Sequence, residues 1–148
     1  VIRTDRRRRL LIGWALVLTL ALSACANKKL ATQIDQSLVT SMAALQDSLV
    51  AFHKGGKISD DTYGKIMYQM GSLWRLAGQY NILIRDWPGT GAPPKELAKI
   101  AGDIAGTVRI VIGLLPDTDT ASLKSAEQIL AIVEGVLKMV GGDHVAAH

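Results

Sequence analysis

An all-α fold, an antiparallel bundle of about four helices behind a hydrophobic signal helix, is what three features of this 148-residue sequence predict. Apolar residues recur three or four positions apart through four segments, the spacing that lines one face of a helix. Glycine pairs, prolines and small polar residues cut the chain between those segments. No stretch shows the strict alternation of a half-buried strand. "VRIVIGLL" is strand-like in composition but lies in frame with a helical stripe. The length suits one domain.

The chain opens on "RTDRRRR" and continues with "LLIGWALVLTLALSA", which ends at Ala24. A cationic run followed by a 15-residue apolar run ending in small residues is the layout of a secretory signal peptide. The arginines favour the cytoplasmic side while the apolar run enters the membrane. As a helix that run reaches about 22 Å at ~1.5 Å per residue, short of the roughly 30 Å of a bilayer core. Residues 1–24 are therefore read as a leader, with an uncleaved single-pass anchor as the alternative.

Leu22-Ser23-Ala24-Cys25 closes the leader and contains the only cysteine of the chain. An aliphatic residue, two small residues and a cysteine in this order resemble the lipobox of bacterial lipoproteins. The resemblance covers residues 1–25 and concerns location, not activity. It implies a diacylglyceryl thioether on the Cys25 sulfur, cleavage before Cys25 and, often, acylation of the new amino terminus. Two or three acyl chains hold stably where one is marginal. In such lipoproteins of diderm bacteria an aspartate after the cysteine commonly retains the protein in the inner membrane. Ala26 stands there instead, which implies the periplasmic face of the outer membrane in a diderm host. Residues 25–29 then form a short tether, residues 30–142 the bundle and residues 143–148 a frayed tail.

The first helix of the bundle is expected over Leu30 to Lys54, with Ile34, Leu38, Met42, Leu45, Leu49 and Phe52 as its apolar stripe. Gly55-Gly56 ends it, Gly55 being the expected left-handed cap. Ser59 is the expected N-cap of a second helix from Asp60 to about Asp86, with two aspartates at its positive end. Ile58 and Tyr63 have the spacing of a hydrophobic staple. The stretch "FHKGGKISDDTYGKI" resembles the G-x-I-[ST] helical hairpins common in small bacterial and phage-encoded lipoproteins. The second stripe is Tyr63, Ile66, Met67, Met70, Leu73, Trp74, Ala77, Tyr80 and Ile84. Gly64, Gly71 and Gly78 recur at seven-residue spacing, which points to close approach of a neighbouring helix or to tolerated glycines.

"WPGTGAPPKE" is a loop, and Pro94 can open a third helix. That helix carries Leu97, Ile100, Ile104, Val108, Val111 and Leu115, and "IAGTVRIVIGLL" is apolar nearly all round. A central, buried helix is expected there, with a membrane-surface or partner-binding segment over residues 104–115 as the alternative. Pro116 stops it. Asp119 or Thr118 caps a fourth helix with the stripe Leu123, Ala126, Leu130, Val133, Leu137 and Val140, ended by Gly141-Gly142.

The formal net charge of +4 comes from the arginine run before residue 10. From Cys25 onward twelve basic residues are matched by twelve acidic ones, so no charge excess remains to hold nucleic-acid phosphates. One cysteine makes neither an intramolecular disulfide nor a cysteine metal site. His144, His148 and Asp143 are a poor zinc set in a tail, and His53 sits where it can meet a helix dipole. Asp60 and Asp61 are adjacent and point apart on a helix. No catalytic, cofactor-binding or metal site is assigned. Trp87, beside Pro88, is the one candidate partner contact, set against a plain packing role.

These features lead to a membrane-anchored, non-enzymatic envelope lipoprotein with an interaction or structural role; the hairpin resemblance adds phage lysis or exclusion as candidate tasks. The expected partners are the membrane, through lipid on Cys25, and an envelope protein. The oligomeric state is left open. An envelope enzyme inhibitor acting through the Trp87–Pro94 loop is the further alternative.

Overall fold

The computed structural model describes residues 3–141, with side chains from Asn27 onward. Four helices run in order: α1 (Arg3–Lys54), α2 (Asp60–Asp86), α3 (Glu96–Leu114) and α4 (Thr120–Met139). The described residues contain no strand. Each helix packs on its neighbours in the chain, and α4 closes the ring against α1. The register of α1 on α2 is antiparallel. Gln46 accepts from Trp74, Asp35 from Asn81, and the Trp87 carbonyl accepts from Lys28.

The core follows a four-three alternation on every helix. In α1 the seam is Ala31, Asp35, Leu38, Met42, Leu45 and Leu49, all buried. In α2 it is Ile66, Met70, Leu73, Ala77, Tyr80 and Ile84, and the same step lands on Trp87 just beyond the helix. Leu97, Ala101, Ile104, Val108 and Val111 form the seam of α3; Ser122, Ala126, Ile129, Val133 and Val136 form that of α4. A repeat of 3.5 residues per turn is the period of helices that pack along their whole length at shallow angles.

This seam departs from the expected stripes in α4. Ile129 and Val136 replace Leu130 and Leu137 as the deepest residues, which are only half-buried. Ser122 and Ser125 lie inside, since small side chains let the helices approach. Nor is α3 a central helix. It touches α2 and α4 and turns Gly102, Asp103, Gly106, Arg109, Ile110 and Gly113 outward. Glycines and one isoleucine on an outer face raise the hydropathy of a segment without burying it.

The glycines of α2 are not close-approach sites either. Gly64, Gly71 and Gly78 are exposed, and a Cβ at any of them would meet nothing within 4 Å.

The hairpin between α1 and α2 has the expected place and a shifted cap. Gly56, at φ 69°, is the left-handed residue, not Gly55. Gly56 N donates to His53 O at 2.8 Å and Lys57 N to Phe52 O at 3.2 Å, the paired bonds of a Schellman cap. The Lys57 ammonium lies 5.2 Å from the centre of the Phe52 ring, where such caps usually carry an apolar contact. Ser59 caps α2 as expected, its Oγ accepting from Thr62 N at 3.2 Å. Asp119 caps α4 through Ser122 N at 3.0 Å. Pro94 precedes α3 rather than opening it, and its carbonyl accepts from Leu97 N.

Candidate functional site

Cys25, the expected lipid attachment point, lies outside the residues whose side chains are described, as do His144 and His148. What is described begins two residues later and bears on it. Asn27, Lys28 and Lys29, expected in a tether, are already helical within α1. Lys28 is half-buried, and its Nζ donates to the Trp87 carbonyl. Packing against the bundle thus starts three residues beyond Cys25.

Trp87 is a core residue, 5% exposed, and this corrects its candidacy as a partner contact. Its backbone N ends α2 by donating to Leu83 O at 3.0 Å, and Pro88 then turns the chain away. Its indole Nε1 faces Thr90 O at 3.4 Å. Gly89 follows at φ 82° and lies over Lys28: a Cβ there would sit 2.9 Å from Lys28 Cδ. The loop is thereby strapped to the start of the packed part of α1. An inhibitor that presents this tryptophan to an enzyme is not supported, since the side chain is already committed to the core.

Under the strap lies a small buried polar group. Tyr80 is fully buried, with its hydroxyl 3.5 Å from the Ala31 carbonyl. Burial, and second the negative charge of Asp35, push the Tyr80 phenol well above its usual range. Asp35 Oδ2 accepts from Asn81 Nδ2 at 2.8 Å, while its Oδ1 is buried without a protein partner. Sequence reading missed these residues. The signal was present: Asp35 occupies a seam position of α1, four after Ala31 and three before Leu38.

At the opposite end, His53 stacks on Tyr63 with ring centres 3.9 Å apart and planes 4° apart, and its Nε2 is 2.8 Å from Asp60 Oδ1. The trio ties the last turn of α1 to the first turn of α2. Ile58 is buried, and Tyr63 packs half-buried against the core.

Two open grooves of about 560 Å³ each run along the outer side of α2, one bordered by Leu114 and the other by the outward side of α3. Their charged residues are largely paired at the surface, Lys65 with Asp61 at 2.6 Å and Lys99 with Asp103 at 3.0 Å. Among residues 27–141, whose side chains are described, no group of three or more metal-ligating side chains comes together, and no helix is long and apolar enough to cross a membrane. No protein-family model, curated protein or solved structure matches this chain.

Proposed function

We infer that this protein is a bacterial envelope lipoprotein, held to its membrane by acyl chains on Cys25 and carrying a small helical bundle at the membrane surface. The observation that carries the reading is the order of the leader: cationic run, apolar run, then Leu22-Ser23-Ala24-Cys25. The packed bundle supports it, because an amphipathic four-helix core needs no further segment to bury its apolar faces. The role is one of envelope structure or protein interaction. The likeness of the Phe52–Ile66 hairpin to those of phage-encoded lipoproteins favours lysis or exclusion of competing phage as the setting.

The test is Cys25→Ser in a bacterial host that processes lipoproteins. The variant should lose acyl labelling and accumulate as unprocessed precursor, while the parent chain shows a mature amino terminus at an acylated Cys25. Unchanged labelling and processing in the variant overturns the reading. The second reading is the uncleaved leader. A leader that is never cut would leave a single-pass anchor rigidly joined to the bundle, and the mass of the mature chain separates the two.

A further inference from the structure

The two grooves along the outer side of α2 share Gln69 and lie end to end. The first is bordered by Asp60 to Gln69 of α2 with Leu114 of α3, the second by Gln69 to Gln79 with Lys99 to Ile110. From Asp60 to Gln79 is about 28 Å along a helix axis. A site for a compact small molecule is enclosed and mostly apolar. This channel is long, open and polar, a shape that takes an extended chain.

Its charges balance. Asp60, Asp61 and Asp103 stand against Lys65, Arg75 and Lys99, so no excess of either sign draws a nucleic acid, an anionic lipid or an acidic peptide. Neutral hydrogen-bonding groups make up most of the rest. The side chains of Gln69, Ser72 and Gln79, and the Arg75 guanidinium, bond to no other described residue. Amide, hydroxyl and guanidinium groups together offer donors and acceptors to a ligand rich in hydroxyls and amides. Tyr68 stands among them, 75% exposed, its ring an open platform. The negative face of an aromatic ring attracts the C–H groups on the flat side of a sugar ring. Gly64, Gly102 and Gly106 also line the channel, and a Cβ on any of them would meet nothing within 4 Å. These glycines weaken their helices and bring no packing inside the fold. They keep the channel open down to the backbone.

We propose that the channel binds a neutral glycan chain bearing N-acetyl groups. Tyr68 stacks on a sugar ring, Gln69 and Gln79 pair with acetamido groups, and Ser72 and Arg75 pair with hydroxyls. Ile110, 51% exposed on the α3 wall, gives an acetyl methyl an apolar contact. The cell wall as the source of that chain rests on the envelope reading above; the binding does not.

The full chain, in a detergent without a sugar headgroup, is titrated calorimetrically with chitohexaose, a neutral N-acetylated hexamer, and with maltohexaose, which has hydroxyls alone. Chitohexaose should bind, and maltohexaose at least tenfold more weakly. Tyr68→Ala should weaken chitohexaose tenfold or more. So should the pair Gly102→Leu and Gly106→Leu, which fills the channel at two exposed positions while leaving helicity and the unfolding temperature no lower than the parent's. Gln33→Ala and Gln36→Ala, on the outer side of α1, should change nothing. No binding of chitohexaose, equal binding of the two hexamers, unchanged binding in the leucine pair, or loss in the α1 variants overturns the site. Sedimentation with purified peptidoglycan then reads the source. Capture that chitohexaose competes away supports the wall glycan; capture competed only by the wall's free stem peptide overturns the glycan assignment. The Cys25→Ser chain should bind chitohexaose as the parent does, so failure of the acyl anchor and failure of the channel are read separately.

Discussion

At the hairpin end, the contacts that close α1 onto α2 join near neighbours, His53 to Asp60 and His53 to Tyr63, between the Schellman cap of α1 and the Ser59 cap of α2. At the loop end they join residues 46 to 59 positions apart: Asp35 to Asn81, Ala31 to Tyr80 and Lys28 to Trp87. Local contacts close small loops and form early. The distant ones need α1 and α2 already aligned. The hairpin end therefore works as a hinge pin that sets the register, and the loop end as a latch that closes on it. The latch adjoins the proposed anchor, so an anchored bundle keeps its latch at the membrane and its pin in the aqueous space.

Opening the latch should be the most costly single change. Trp87→Ala removes a buried indole against which Lys28 and the Gly89 turn are set. Loss of about 3–5 kcal/mol is expected in urea unfolding, the usual range for a large aromatic cut from a core. A loss below 1 kcal/mol would mean that the loop is not strapped down, and the contrast between the two ends would fail.

Much of this contrast can be traced to what the sequence displays. The hairpin is spelled out in adjacent residues, so its place, the Ser59 cap and the α2 bounds could be read directly. Leu38, Met42, Leu45 and Leu49 of the α1 seam, and the six seam positions within α2, follow from apolar spacing. The latch was illegible for a physical reason. Asp35 and Lys28 are polar residues at or near seam positions, and a reading that seeks apolar stripes passes over them. Trp87 looked like a loop residue because Pro88 follows it, yet it continues the sevenfold step from Ile66 through Leu73 and Tyr80. Gly89 could not be assigned, because its role depends on Lys28, far away in the chain. The outward glycines of α2 misled for the opposite reason: their spacing is regular, but their side of the helix meets open space.

The latch should also carry a pH signature. Tyr80 holds its proton more tightly in the folded chain than in the unfolded one, chiefly because it is buried and second because of Asp35. The unfolded tyrosine loses its proton near pH 10. Below about pH 10 the stabilisation from Tyr80 is complete; above it the unfolded state alone releases a proton, and stability falls by about 1.4 kcal/mol per pH unit for that one group. Tyr80→Phe should remove this component of the alkaline loss while Tyr63→Phe, at the half-buried hairpin stack, leaves it in place. Identical alkaline profiles for the parent chain and Tyr80→Phe would show that the phenol is not shielded.

At the hairpin the effects should be smaller and opposite in sign at two adjacent glycines. Gly56 has a left-handed backbone at φ 69°, and Ala there pays roughly 1–2 kcal/mol for its Cβ even though nothing lies within 4 Å. Gly55 does not have a positive φ, and a Cβ there would meet the Ala51 and Phe52 carbonyl oxygens at 3.5 Å, an ordinary contact. Gly55→Ala should therefore stabilise by about 0.4–1 kcal/mol, since it removes freedom from the unfolded chain at no cost to the fold. Ser59→Ala lies between the two cases and should cost about 1 kcal/mol through the lost bond to Thr62 N. Urea midpoints of the three variants test the Schellman geometry directly. Were Gly55→Ala the damaging change and Gly56→Ala the harmless one, the left-handed turn would sit one residue earlier. The paired bonds from Gly56 to His53 and from Lys57 to Phe52 would then be wrong, and with them the register that the pin imposes on the latch.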